Sequence, residues 1–137
     1  MDSKRVLIVD DDSAVQRILA RVFQRAGYNV DTASNGRQAL SKLAEGRFDA
    51  MVSDIQMPKM TGRELVAHLA VEGPYLPGCV FIVTSRSETE ERDWVNRFPG
   101  VSLLEKPVSP KEILRLVQQR LDGLTGEGSD NGMRRAA

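Results

Sequence analysis

The sequence predicts an α/β domain, a doubly wound parallel sheet of five strands with helices packed on both faces. Apolar, β-branched runs alternate five times with segments whose apolar residues recur at helical spacing. The runs at 6–9 and 80–83 are uninterrupted, which is typical of strands buried on both faces. Repeated strand–helix units imply right-handed crossovers and one shared direction for all strands. Polar residues follow these runs, at the edge where open parallel sheets bind ligands.

The first strand–helix unit begins with VLIV at 6–9, which three aspartates end abruptly. Asp12 or Ser13 can cap the next helix through a side-chain oxygen. That helix is predicted over 13–26, and Gly27 closes it at the position after the last turn. The apolar residues that recur at helical spacing and make this helix amphipathic are Val15, Ile18, Leu19, Val22 and Phe23.

The second and third units follow the same pattern. Alternation over 28–33 predicts a strand, and Asn35 begins a helix that ends at Gly46. The third strand is predicted over 48–53, directly before Asp54. Pro58 cannot continue a central strand, so the chain must turn there before a helix that follows Gly62. Asp54 is therefore a carboxylate presented to solvent on the tip of a rigid, buried strand.

The last two units complete the sheet. Thr84 follows the fourth strand, and Lys106 follows the fifth. From 123 onward the sequence is rich in glycine and poor in apolar residues, which predicts a disordered tail or linker over 123–137. The elements predicted here are a strand over 80–83, a polar helix over 88–98, a strand over 101–104 and a final helix beginning at Ser109-Pro110.

Composition narrows the function classes. Nineteen acidic and nineteen basic residues cancel, so no overall basic field attracts nucleic acid or an anionic membrane. The single cysteine, Cys79, cannot form an internal disulfide, and its place in an apolar run indicates a small buried hydrophobe. No apolar run has membrane-spanning length, and the start of the chain lacks a signal-peptide pattern. A cytoplasmic domain without direct nucleic-acid or membrane binding is expected.

The polar residues at the strand ends should meet in one cleft, because parallel strands end at the same edge. These residues are Asp10 and Asp11, Asp54, Thr84 and Lys106. Three crowded carboxylates resist ionisation unless a cation joins them, and oxygen ligands with room for water suit Mg²⁺. Asp11 and Asp54 would bind the ion directly, Asp10 through a water. Lys106 would add positive charge and Thr84 a hydroxyl for a phosphoryl oxygen. Asp54 attack on phosphorus then gives a labile acyl phosphate, which suits a reversible signal.

Four motifs in this order resemble the receiver domain of two-component response regulators, particularly chemotaxis-type receivers. The resemblance covers 4–122 and implies a flavodoxin-like (βα)5 sandwich with strand order 2-1-3-4-5. The chain would be a phosphoacceptor without an effector enzyme domain, and a monomer or weak homodimer. Its partners would be a histidine kinase or phosphotransfer protein, and a downstream protein or covalently linked effector. The motifs are VLIVDDD (6–12), SDIQMPKMTG (53–62), IVTS (82–85) and LLEKP (103–107).

The resemblance also implies roles for individual residues. Asp54 is the phosphoacceptor, Thr84 the switch hydroxyl and Lys106 the phosphate-binding lysine. Phosphorylation would switch the face formed by helix four, strand five and helix five, and Lys106-Pro107 would carry a cis bond. The positions that tune phosphoryl lifetime are Gln56 and Arg86. The residues expected to hold Mg²⁺ or Mn²⁺ are Asp10, Asp11, Asp54 and the backbone carbonyl of Gln56.

One position departs from the family pattern. Receivers often place Tyr or Phe three residues before the lysine, and here that residue is Leu103. Leucine has no ring to swing inward, so the signal would travel by repacking of Leu103 or through the 86–98 segment with Trp94.

Three alternative interpretations stay open. The domain could be the receiver of a hybrid histidine kinase, or a degenerate receiver that serves only as an interaction module. A phosphohydrolase like the haloacid dehalogenases would use Asp10 as the nucleophile, although Ala14 stands where that superfamily prefers Thr or Val. A dinucleotide-binding domain is excluded, since no G-x-G-x-x-G follows the first strand.

Overall fold

Strands and helices alternate along the whole described chain. The computed structural model describes residues 3–85 and 89–125. The strands are β1 (Arg5–Val9), β2 (Asn29–Ala33), β3 (Ala50–Asp54), β4 (Cys79–Thr84) and β5 (Val101–Glu105). The helices are α1 (Ser13–Arg25), α2 (Gly36–Glu45), α3 (Gly62–Val71), α4 (Thr89–Val95) and α5 (Pro110–Thr125). All strand pairs are parallel in the order β2-β1-β3-β4-β5, which confirms the predicted fold class and the strand order that the resemblance implied.

The sheet is buried on both faces, as the continuous apolar strands predicted. Side chains alternate across a strand, so Leu7 and Val9 of β1 face one layer of helices while Val6 and Ile8 face the other. The first layer is formed by α2, α3 and α4, and the second by α1 and α5. Cys79 belongs to the second core and is fully buried, which confirms its prediction as a packing residue.

The predicted helix starts are confirmed by their caps. Asp12 Oδ1 accepts hydrogen bonds from the backbone N–H groups of Ala14 (2.9 Å) and Val15 (3.3 Å), so Asp12 is the cap of α1. Asn35 Oδ1 caps α2 by accepting from the N–H of Gln38. Gly27 follows the C-cap residue Ala26, at the predicted position after the last turn, and has a positive φ of 98°.

The bounds of β3 and α4 differ from those predicted from the sequence. β3 begins at Ala50 and includes Asp54, because Asp54 pairs with Val83 of β4 and the N–H of Ile55 still donates to the Val83 carbonyl at 2.9 Å. The predicted helix over 88–98 ends already at Val95, where the N–H of Phe98 forms a tighter bond to the Val95 carbonyl.

The last helix is also longer than predicted. α5 continues through Thr125, so Gly123 lies inside the helix and does not end it. Residues 123–125 of the predicted disordered tail are therefore helical, and 126–137 lie outside the described residues. Within the described ranges, no helix is both long and apolar enough to cross a membrane.

At the amino-terminal ends of the strands, a tyrosine side chain is hydrogen-bonded to the loop that precedes β3. The Tyr75 hydroxyl accepts a hydrogen bond from the backbone N–H of Phe48 (2.6 Å) and donates to the Gly46 carbonyl (2.9 Å). The loop between α2 and β3 is thereby tied to the segment before β4, far from the ends that carry the aspartates.

Candidate functional site

The acidic residues after β1 and at the end of β3 form one cluster. Because β1 and β3 are neighbours in the sheet, their carboxyl ends lie side by side. One carboxylate oxygen from each of Asp10, Asp11 and Asp54 lies within 4.8 Å of the others. The convergence predicted for these three side chains is thus present, although Asp10 and Asp54 are 44 positions apart in the chain.

The three carboxylates differ in exposure. Asp10 is buried and only 7 % exposed, whereas Asp11 is exposed and the Asp54 side chain is 11 % exposed. Burial raises the pKa of Asp10, and the nearby Asp54 charge raises it further. The N–H of Asp12, which donates to Asp10 Oδ1 at 2.9 Å, acts in the opposite direction. Asp10 and Asp54 are therefore largely shielded from solvent, and the exposed side of the cluster is the one that carries Asp11.

Lys106 lies opposite the acids and contacts the predicted nucleophile. Its Nζ is 3.5 Å from Asp54 Oδ1, and its own side chain is 46 % exposed. The backbone N–H of Lys106 donates to the Thr84 carbonyl at 2.7 Å, which fixes the chain as it leaves β5. The Lys106-Pro107 peptide is cis, as the resemblance implied.

Thr84 and Gln56 lie at or just after the carboxyl ends of two neighbouring strands. Thr84 is the last residue of β4, between Asp54 on β3 and Lys106 after β5, and it is only 1 % exposed. Gln56 lies in the loop that follows β3 and has an exposed side chain. The assignment of its carbonyl as a metal ligand stays a prediction. Arg86, the other predicted tuning position, lies outside the described residues.

The loop after Asp54 returns very close to the strand. The Gly62 N–H donates to the Ile55 carbonyl at 2.8 Å, so α3 begins directly against the end of β3. A β-carbon at Gly62 would lie 2.6 Å from the Asp54 carbonyl oxygen. Lys59 has a φ of 70° in this same loop, which shows how sharply the chain turns back. Glycine is required at position 62 because a β-carbon there would collide with the Asp54 carbonyl oxygen.

The donor set fits a hard divalent cation. An octahedral Mg²⁺ holds oxygens at about 2.1 Å, so its ligands lie about 3 to 4 Å from one another. The spread of up to 4.8 Å among Asp10, Asp11 and Asp54 needs only small side-chain rotations to meet this geometry. The exposed side of the cluster leaves room for water or a phosphate oxygen.

An apolar groove of about 600 Å³ adjoins the acidic cluster, between α1 and the start of α5. Val15 (36 % exposed) and Ile18 (53 % exposed) line it, so the apolar side of α1 that helical spacing predicted is open to solvent at these two residues. The reason is that α5 begins only at Pro110, and the preceding segment does not cover this part of α1. The other apolar residues of the wall are Val9, Leu19, Val52, Val83, Pro107, Val108, Pro110 and Ile113.

Two features of the site have no marker in the sequence. One is this groove, because periodicity identifies an apolar stripe but not the element that covers it. The other is Gln16 of α1, whose side-chain amide donates to the carbonyl of Asp10. A polar residue beside the inner stripe of a helix usually faces solvent, so spacing alone did not single it out.

Comparisons with known proteins match most of the chain. The family model described as "Response regulator receiver domain" matches residues 6–118. The response regulator MprA of Mycolicibacterium vanbaalenii is 37 % identical over 110 residues, which are 80 % of this chain and 47 % of that protein. The chain spans about half the length of the curated relatives it matches.

Solved structures show the same fold. The chemotaxis protein CheY4 of Vibrio cholerae is 32 % identical, with a TM-score of 0.78 over 86 % of this chain and 98 % of that chain. A CheY-like receiver domain protein of Methanospirillum hungatei is 30 % identical, with a TM-score of 0.80 over 93 % of this chain and 100 % of that chain.

Proposed function

Because the chain belongs to the response regulator receiver domain family, we propose that its Asp54 carboxylate accepts a phosphoryl group from a phosphohistidine. The donor would be a histidine kinase or a phosphotransfer protein. The observation that carries this assignment is the meeting of Asp54 with Lys106 at 3.5 Å, beside Asp10 and Asp11.

The chemical step is an in-line displacement at phosphorus. An Asp54 carboxylate oxygen attacks the phosphorus atom, and a P–O bond forms as the P–N bond to the donor imidazole breaks. The nitrogen keeps the bonding electron pair and takes a proton. The product is an acyl phosphate, which water later hydrolyses to regenerate the carboxylate. A small phosphodonor such as acetyl phosphate would react through the same attack, with acetate leaving.

The surrounding residues would offset the negative charge of the phosphoryl oxygens during this step. Asp11, Asp54 and the Gln56 carbonyl would hold Mg²⁺ or Mn²⁺ directly, and Asp10 through a water. The bound cation supplies positive charge that offsets the negative charge of the incoming phosphoryl oxygens. Lys106 lies on the other side of Asp54 and would bind a phosphoryl oxygen there, while the Thr84 hydroxyl would donate to another.

The donor would approach over the groove between α1 and α5. This groove opens directly onto Asp54 and Lys106, and the exposed Val15 and Ile18 side chains form part of its wall. An apolar surface next to a charged centre suits a protein donor, which must bury its histidine against Asp54 during transfer. A small-molecule donor needs no such contact.

The output would travel through β4 and β5. A phosphoryl group adds a charge of about −1.5 to −2 beside Lys106, which biases a conformational equilibrium. Thr84 ends β4 next to this charge, and Leu103 lies on the neighbouring strand opposite Ile82. Leu103 also lines a space of about 470 Å³ between α4 and β5, in which it can repack. We therefore assign the output to the face formed by α4, β5 and α5.

A phosphorylation experiment tests the assignment. The purified chain is incubated with Mg²⁺ and acetyl phosphate, and covalent phosphate is measured by intact mass and acid-urea gels. Wild type is compared with Asp54→Asn, with Asp10→Asn, and with Asp93→Asn as the same substitution at an exposed position on α4. We expect labelling in wild type and Asp93→Asn, weakened labelling in Asp10→Asn and none in Asp54→Asn.

The same experiment separates the phosphohydrolase alternative. In that reading Asp10 is the nucleophile, so turnover of the phosphodonor would survive Asp54→Asn and disappear in Asp10→Asn. Stable labelling of Asp54→Asn, or steady turnover that depends on Asp10 and survives Asp54→Asn, would refute the proposed function.

A further inference from the structure

The Gln16 side chain makes several hydrogen bonds beside the acidic cluster. It lies on the first turn of α1, half-buried, and its Nε2 is within hydrogen-bond distance of three oxygens. These are the carbonyl of Asp10, the carbonyl of Ala33 (3.0 Å) and the hydroxyl of Ser34 (3.0 Å). One amide therefore joins α1, the loop after β1 and the loop after β2.

The contacts fix the orientation of this amide. An amide nitrogen carries two N–H groups, so three acceptors require one shared, three-centre bond. The reverse orientation would place Oε1 of Gln16 against the carbonyls of Asp10 and Ala33, and neither can donate. The nitrogen must therefore face the three oxygens.

These bonds hold the peptide group that links two of the acids. The Asp10 N–H donates to the Ala33 carbonyl at 3.0 Å, and the Asp10 carbonyl accepts from Gln16. The Asp10 carbonyl belongs to the peptide bond between Asp10 and Asp11. Its plane is therefore set by Gln16, and this plane determines how the Asp11 side chain is presented relative to Asp10.

We infer that Gln16 is a positioning residue for the cation site, which acts by fixing the Asp10–Asp11 peptide. This inference rests on the proposed function, in which Asp10, Asp11 and Asp54 hold a divalent cation. It predicts a loss of cation affinity when the amide is removed, even where the fold is retained. A residue that only ties α1 to β2 would lower stability and leave the affinity unchanged.

The test is a Mn²⁺ titration of the full chain, with free Mn²⁺ measured by electron paramagnetic resonance. Wild type is compared with Gln16→Met, which keeps side-chain length but has no donor. Gln24→Met is the matched control, because Gln24 is an exposed residue two turns further along α1. We expect Gln16→Met to raise the Kd for Mn²⁺ about three- to tenfold, the range set by one or two hydrogen bonds. Gln24→Met should match wild type.

Thermal unfolding and backbone NMR of the metal-free variants accompany the titration. If Gln16→Met does not fold, Gln16→Asn takes its place, since its amide is one methylene too short to reach the Asp10 carbonyl. We expect amide shifts of residues 10–12 to change more than those of the rest of α1. An unchanged Kd, or unchanged shifts at 10–12, in a folded variant would overturn the inference.

The same Mn²⁺ titration of an Asp54→Asn variant distinguishes failure of this inference from failure of the proposed function. If Asp54→Asn binds Mn²⁺ as wild type does, the cation site of the proposed function is wrong. The shifts of 10–12 in metal-free Gln16→Met then still decide whether Gln16 holds this peptide.

Discussion

Substituting Gly62 by alanine tests the close return of the chain under Asp54. The new β-carbon would lie 2.6 Å from the Asp54 carbonyl oxygen and 3.0 Å from Ile55 Cα, and both are backbone atoms. Neither can move aside as a flexible side chain would, and the Gly62 N–H is held by the Ile55 carbonyl. The start of α3 and the end of β3 must therefore separate.

The expected change in the free energy of unfolding follows from two opposing contributions. Overpacking of this kind costs about 1–3 kcal/mol, and alanine in place of a helical glycine returns up to about 1 kcal/mol. Because both clashing atoms belong to the backbone, the cost lies in the upper part of that range, about 2–3 kcal/mol, and the net loss of stability should be about 1–2 kcal/mol. With an unfolding entropy of about 2.1 cal/mol/K per residue over roughly 120 residues, this loss lowers Tm by about 4–8 °C. Because the Asp54 backbone shifts, phosphorylation by acetyl phosphate should also slow.

The matched control is Gly123→Ala in α5. A β-carbon there meets nothing within 4 Å and the residue lies within the helix, so this variant should gain about 0.5–1 kcal/mol. Urea denaturation followed by circular dichroism gives both free energies of unfolding, and calorimetry gives Tm. A Gly62→Ala protein as stable as wild type would refute the reasoning, because the backbone contact would then cost nothing.

Further predictions concern the buried aspartate, a tyrosine and the cysteine. Burial raises the pKa of Asp10 above its ordinary 3.8, so its ionised form opposes folding; Asp10→Asn should raise the Tm of the metal-free protein at pH 7. This gain should shrink as the pH falls through the raised pKa toward 3.8, because wild type then becomes protonated, and a gain that persists at pH 3 would contradict the explanation. Tyr75→Phe leaves two backbone groups without their hydroxyl partner and should cost about 1–3 kcal/mol in urea denaturation, whereas Tyr28→Phe, the same change at the other tyrosine, should cost less. Burial raises the pKa of Cys79 to about 11, so a thiol reagent at pH 8 should label it only as fast as the protein unfolds, and rapid labelling of folded protein would show that the core is open.

Most of the fold could be predicted from the sequence because local rules decide it. The uninterrupted apolar run of β1 requires a strand covered on both faces, and Asp12 and Asn35 mark helix starts through bonds to residues two or three positions away. The ends of the strands and helices were harder to predict. Gly123 was expected to terminate the last helix, but an exposed glycine costs only about 1 kcal/mol, and α5 continues through it.

Part of the candidate site could also be predicted, because the direction of the strands is a topological property. Once every strand is parallel, the residues after each strand must share one edge, and this places Asp10, Asp54 and Lys106 together without any distance being known. The exposure of Ile18 could not be predicted, for the complementary reason. Helical spacing places it on the apolar side of α1, but its exposure depends on where α5 begins, some ninety positions later in the chain.

The sequence by itself thus determined the five strand–helix units, the edge that carries the chemistry and the residue types gathered there. These properties follow from interactions within a few positions of the chain and from the alternation of a sheet. Only the tertiary structure decided the 3.5 Å contact between Lys106 and Asp54, the open groove beside it, the backbone approach that requires Gly62 and the bonds of Gln16. The Lys106 contact, the groove and the bonds of Gln16 to Ala33 and Ser34 join segments that are distant in sequence. The approach of Gly62 to Asp54 depends on how α3 packs against the end of β3. The geometry of all these features is therefore set by how whole elements pack against one another.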